Sequence, residues 1–312
     1  MHLKTDHQNR FTLSPAARRA LARHYPFTSH FQRINGHAYH YIDRGQGEPL
    51  VMVHGNPSWS FYYRRLIQAL SDRFRAIAVD HIGCGLSEKP APADYDYTLA
   101  RRYADFEQFI ASLGLTQKLT LIVHDWGGMI GMLYAVNHPE AIGRIVILNT
   151  AAFPPPAGKP IPWQLKLIRN VPLFATPAVL GANIFARGAL HLAVCRRMPA
   201  DIKAGYLAPY NCWSNRIATL RFVQDIPLSA ADPGYDLVAH AGRHLDRLQH
   251  IPMLILWGDQ DFVFDRDYYD EWRRRFPHAE ATCYADAGHY ILEDKPGEAI
   301  EAISHFLIAH PL

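Results

Sequence analysis

Two aspartates and a histidine stand where apolar runs of this 312-residue chain end, and together their side chains could attack carbon. Asp125 follows Val123-His124 and precedes Trp126-Gly127-Gly128. Asp261 closes Trp257-Gly258-Asp259-Gln260-Asp261, and His289 lies 28 residues further on, in Gly288-His289-Tyr290. A carboxylate whose unperturbed pKa is near ~4 is already ionised at neutral pH, so it needs no base to act as a nucleophile. Displacing a leaving group from a saturated carbon would place an alkyl ester on Asp125. Its carbonyl stays open to a water activated by His289, whereas a serine would form an ether that water does not readily cleave. Asp261 would orient His289 and stabilise its charged form. Each residue also has a plainer reading. An Asp after a strand is commonly a helix N-cap, a His after Gly is commonly structural, and Asp259, Asp261 and Asp265 could each cap a loop. Their coincidence at three successive strand ends, in the order nucleophile, acid, base, favours a catalytic triad.

A fourth segment, His54-Gly55-Asn56-Pro57-Ser58-Trp59, follows the apolar run ending at Val53. Asn56 and Trp126 each carry a side-chain donor, an amide NH₂ and an indole N–H. If they converge beside Asp125 they could hold a departing anion, the electrostatic role that usually dominates catalysis. The plainer alternative is that Trp126 packs within its helix and Asn56 caps its loop.

Elements that could position these residues are legible from the pattern. Residues 50–53, 76–79, 119–123, 145–148, 253–257 and 281–284 are almost continuously apolar, as parallel strands covered on both faces are. Residues 59–70, 98–113, 126–137, 268–276 and 297–309 read as helices. This alternation predicts an α/β fold with a doubly wound, mostly parallel sheet. It stops near Phe153 and resumes near Ile251, and the stretch between is helical, aromatic-rich and broken by prolines. We therefore expect a core over 1–152, an inserted helical cap over 153–250 and a second part of the core over 251–312. The cap would roof the strand C-termini, where open α/β sheets bind ligands. Most of its apolar residues would pack it onto the core, and the remainder would suit a small hydrophobic substrate.

Composition narrows the function classes. Nearly half the residues are apolar and a fifth are charged, as in a globular protein with a full core. A net charge of +3 with scattered Lys and Arg makes no case for nucleic acid or for an anionic membrane. Cys84, Cys195, Cys212 and Cys283 lie far apart without metal-ligand spacing, so free thiols are expected, and neither a metal nor a cofactor is indicated. Residues 1–26 lack an apolar signal core, and prolines interrupt the longest uncharged stretch, 170–186, so no integral membrane segment is expected. The expected location is the cytoplasm.

The turn around Asp125 resembles the nucleophile elbow of the α/β-hydrolase fold, with Asp125 where serine is usual and Val123 in place of the first glycine. With Asn56 after His-Gly and Trp126 after the nucleophile, the chain looks like the haloalkane dehalogenase branch of that fold. Family spacing then selects Asp261 as the acid, because Ile147-Leu148-Asn149-Thr150-Ala151 offers none after the preceding strand. Closer resemblance, from about residue 31 to 307, is to the β-lactone decarboxylases of long-chain olefin biosynthesis. It rests on His54-Gly55-Asn56-Pro57, on Trp59-Ser60-Phe61-Tyr62-Tyr63-Arg64, on Asp80-His81-Ile82-Gly83-Cys84-Gly85-Leu86-Ser87 and on residues 215–228. Ser58 stands where many relatives have threonine. The resemblance implies decarboxylation of cis-3,4-dialkyl β-lactones to cis-alkenes and CO₂, and suggests a β-lactone synthetase as pathway partner, with physical association left open. Haloalkane hydrolysis through an aspartyl alkyl ester is the alternative. An epoxide hydrolase fits less well, since an aromatic is usual where Asn56 stands, and the complete triad argues against a non-catalytic ligand-binding protein.

Overall fold

The computed structural model describes residues 13–156 and 159–312. The first part of the N-terminal stretch, and two residues of the proline-rich entry to the cap, therefore lie outside the described residues. Eight strands form a single sheet in the order β1-β2-β4-β3-β5-β6-β7-β8. They are β1 (Ser29–Ile34), β2 (His37–Arg44), β3 (Pro49–Val53), β4 (Arg75–Val79), β5 (Leu119–His124), β6 (Ile142–Leu148), β7 (Met253–Gly258) and β8 (Glu280–Tyr284). β2 runs antiparallel to both β1 and β4, and every other pairing is parallel.

Unlike the half-exposed edge strand β8, the parallel strands β3 to β7 are buried on both faces, and their side chains alternate between two apolar layers. Val51, Val53, Leu121, Val123 and Ile255 point into one layer, and Leu50, Met52, Ile122, Leu254 and Leu256 into the other. This double burial is why they read as continuous apolar runs. The hairpin β1–β2 escaped the sequence reading because it lies at the sheet edge and mixes polar with apolar residues. Its two-residue turn, Asn35-Gly36, has positive φ at both positions, 46° and 91°. Asn-Gly is the usual solution for such a turn, so the signal was present.

Two features set the site. The chain leaves β3 toward β4 and leaves β5 toward β6, and β3 and β5 are neighbours with Val53 opposite Val123. Their C-terminal ends therefore flank the crevice at which the connections diverge, the usual ligand position in such sheets. Between β6 and β7 the chain forms a succession of helices, among them Trp163–Asn170, Ile184–Leu192, Ala200–Leu207, Ile217–Gln224 and Tyr235–Arg243. Leu165, Ile168, Val179, Leu180, Leu220 and Val223 form a small apolar core of their own within this segment.

Candidate active site

Asp125 occupies the turn between β5 and the helix Trp126–Asn137, with φ 53° and ψ −128°. Its side chain makes no capping bond to that helix, which removes the N-cap reading. Positive φ in a residue with a Cβ is strained, and strain of this kind gathers at functional turns. Close packing enforces the turn: a Cβ on Gly127 would strike the carbonyl oxygen of Val53, and one on Gly55 would strike the Asp125 carboxylate. The Thr150 hydroxyl donates to the Asp125 carbonyl oxygen, and the Asp125 N–H donates to the Asn149 carbonyl at 3.1 Å.

The Asp125 carboxylate is polarised from two sides. The Asn56 backbone N–H donates to Oδ1 at 2.6 Å, and His289 Nε2 stands 3.5 Å from Oδ2. His289 Nδ1 in turn lies 2.7 Å from Asp261 Oδ2. Burial alone would raise the Asp125 carboxyl, but the hydrogen bond and charge of His289 hold it below the ordinary value. Burial likewise opposes a charged His289, and the Asp261 charge, with further contributions from Asp125, raises that imidazole to about 10. The neighbouring acids thus favour the charged form of this imidazole. Esterifying Asp125 would remove one of those negative charges and bring His289 down, toward a state that can accept a proton.

Asp261, His289, Asn56 and Trp126 come together around Asp125 as the spacing predicts. Asn56, Asp125, Trp126 and His289 all line one cavity of about 1010 Å³, whose walls include Met129, Leu165, Phe185 and Val238. Asn56 differs in detail from the expectation. Its backbone rather than its side chain meets Asp125, and its amide Nδ2 donates to the Thr219 carbonyl at 3.0 Å, leaving one N–H of that nitrogen uncommitted. The Trp126 indole N–H has no hydrogen-bond partner among the described residues, and the ring packs against Phe222 with centroids 5.1 Å apart.

Three supports were not read from the sequence. Asn149, at the strand end that lacks an acid, donates from Nδ2 to Asp261 Oδ2 and to the Gly258 carbonyl, both at 3.0 Å, while Gly258 N–H donates back to its Oδ1 at 2.8 Å. It fixes the acid and β7 together. Thr219, inside the cap motif, anchors Asn56 through its backbone, which no side-chain pattern can announce. Asp294 accepts from the N–H groups of Gly288, Cys195 and Arg196, tying the loop of His289 to the cap.

Residues 48–296 match the family model for the alpha/beta hydrolase fold. The chain belongs to this family. It is 53% identical over 283 residues to a cis-3-alkyl-4-alkyloxetan-2-one decarboxylase of Shewanella oneidensis, covering 90% of this chain and 89% of the relative. It is also similar to haloalkane dehalogenase 2 of Mycobacterium tuberculosis, at 32% identity over 286 residues, 89% of this chain and 94% of the relative. Among solved structures, a haloalkane dehalogenase from Bradyrhizobium elkani matches with a TM-score of 0.80 at 19% identity, covering 91% of this chain and 98% of that one. That last likeness speaks to the fold alone.

Proposed function

We propose that this enzyme converts cis-3,4-dialkyl β-lactones into cis-alkenes and CO₂. The observation that carries the reading is 53% identity, across about nine-tenths of both chains, to an enzyme named for that activity. In the proposed reaction Asp125 attacks the saturated ring carbon bonded to the ring oxygen, and the bond between that carbon and the ring oxygen breaks. The electron pair goes to the ring oxygen, which becomes part of a free carboxylate on the neighbouring carbon. In this reading the uncommitted N–H of Asn56 and the indole N–H of Trp126 hold this anion. The bond to that carboxylate then breaks to supply the alkene π pair, CO₂ departs, and Asp125 leaves as its own carboxylate.

Neither water, nor an oxidant, nor a cofactor is consumed in this sequence. Its stereochemistry is also self-consistent. Attack inverts one carbon, and anti-periplanar fragmentation of the inverted ester gives the alkene that direct syn loss would give, so a cis-lactone yields a cis-alkene. His289 does not activate water here; its positive charge steadies Asp125 as nucleophile and as leaving group.

The test is product analysis by gas chromatography–mass spectrometry after incubation with a synthetic cis-3,4-dialkyl β-lactone. A cis-alkene that is absent with Asp125→Asn and without enzyme supports the decarboxylase, and a β-hydroxy acid instead overturns it. A second reading, haloalkane hydrolysis, is favoured by the hydrogen-bonded His289–Asp261 pair beside Asp125, which suits water activation better than decarboxylation requires. The proposal includes a β-lactone-forming synthetase as the source of substrate and a cytoplasmic location. Among the described residues no single helix is long and apolar enough to cross a membrane.

A further inference from the structure

The net charge of +3 hides a local asymmetry. From residue 141 to 200 there is no Asp or Glu, while Lys159, Lys166, Arg169, Arg187, Arg196 and Arg197 all fall within that stretch. Lys159 pairs with Asp265 and Asp267, and Arg169 with Asp232. Lys166 and Arg187 are exposed and have no ion-pair partner among the described residues.

Large apolar side chains are exposed on this same stretch. Leu173 is 92% exposed, Trp163 70% and Leu192 59%, and Phe174 and Ile184 are also open. Trp163, Ile184 and Leu192 line the cavity as well, as does Lys166, so they form its rim. Ile184, Arg187 and Leu192 are all exposed on the helix Ile184–Leu192, with Ile184 three positions from Arg187 and eight from Leu192. Residues Pro172–Gly181 and Ile184–Leu192 are together apolar enough to cross a bilayer, but they meet at 77°. Their other faces are occupied: Val179 and Leu180 pack inside the cap, and Ala186 and Leu190 against the core. A bent pair half embedded in protein can lie in an interface but cannot span one.

We propose that the cap docks on an anionic lipid surface through Trp163, Lys166, Leu173, Phe174, Arg187 and Leu192, opening the cavity toward the acyl phase. Asp265, on the same cavity, is paired with Lys159, so the combination of exposed tryptophan and leucine with unpaired Lys166 and Arg187 suits a plane of negative headgroups over hydrocarbon. A protein partner would instead have to offer an acidic surface around an apolar centre. The benefit of docking rests on the proposed long-chain substrate, which would dissolve in that phase. The binding itself does not rest on it.

The experiment is flotation of the full chain with vesicles of phosphatidylcholine, with and without phosphatidylglycerol, in the absence of any lactone. The chain is expected to float with the phosphatidylglycerol vesicles, less with phosphatidylcholine alone, and to be released by high salt. Leu173→Glu and Arg187→Glu should each lower the bound fraction about fivefold or more. Both sites are exposed, so thermal unfolding and alkene formation from detergent-dispersed lactone should be unchanged. Failure to float with anionic vesicles, or flotation indifferent to both substitutions, overturns the proposal. So does a dimer in solution that Leu173→Glu dissolves. Because flotation is read without turnover, it fails or succeeds independently of the decarboxylase reading.

Discussion

His289 Nδ1 lies 2.7 Å from Asp261 Oδ2, and His40 Nδ1 lies 2.7 Å from Asp80 Oδ2. The second pair even has a serine at its far end, since Ser29 Oγ stands 3.0 Å from His40 Nε2. By distance alone, Ser29–His40–Asp80 is a more complete serine triad than Asp125–His289–Asp261 is an aspartate one. What separates them is access to a cavity. Asp80 takes N–H donors from Ser60 and Leu86 at 2.8 Å besides His40, and both it and His40 are wholly buried. None of those three residues lines the large cavity. Asp125 does line it, with its Oδ1 taking the Asn56 N–H and its Oδ2 approached by His289 at 3.5 Å. A short histidine–carboxylate bond therefore marks order, and a carboxylate that faces a cavity marks chemistry.

The comparison breaks if the two pairs respond alike to mutation. Asp125→Asn should lower turnover of a β-lactone by about 10⁴-fold or more in steady-state assays, because an amide is neither nucleophile nor leaving group. His289→Gln should cost less, about 10²-fold, and leave multiple turnovers, because no water must be activated. The same variant offered a bromoalkane should instead hold a stable alkyl adduct on Asp125, visible in the intact-protein mass.

Asp80→Asn should leave the chemistry and reduce stability, by about 3 kcal/mol in denaturant unfolding, since it strips a buried histidine of its partner charge. Burial would raise the Asp80 carboxyl, but the charge and hydrogen bond of His40, followed by smaller contributions, bring it down to about 2. A depressed carboxylate stabilises the fold above its unfolded pKa. That contribution, about 2 kcal/mol, is lost as pH falls from about 4 through 2, and Asp80→Asn should flatten that limb of the acid unfolding curve. Ser29→Ala should be the mildest, with stability within about 0.5 kcal/mol and alkene formation unchanged.

In the proposed triad, Asp125 and Asp261 were legible because they follow β5 and β7, whose apolar runs are conspicuous where strands are covered on both faces. His289, beyond the half-exposed β8, was marked by its spacing from Asp261. The edge hairpin β1–β2 was not legible, since half-exposed strands blur that signal. His40 and Asp80 passed unpaired for a related reason: His40 lies on β2 and Asp80 just beyond the end of β4, 40 residues later, with no spacing rule to join them. Asn149 was noticed only for the acid it lacks, because an amide at a strand end looks like any loop residue until its three hydrogen bonds are seen. The charge asymmetry of the cap lay open in the sequence, and whole-chain averaging concealed it. Which cap residues face outward depended on packing and could not be read without the fold.

The central claim is that Asp125 is released by fragmentation and not by water. It is tested by many turnovers of a cis-β-lactone in water labelled with heavy oxygen, followed by mass spectrometry of the peptide that contains Asp125. The account predicts an alkene product and an Asp125 carboxylate that keeps its own oxygens. Heavy oxygen in Asp125, with a hydroxy acid as product, would contradict it.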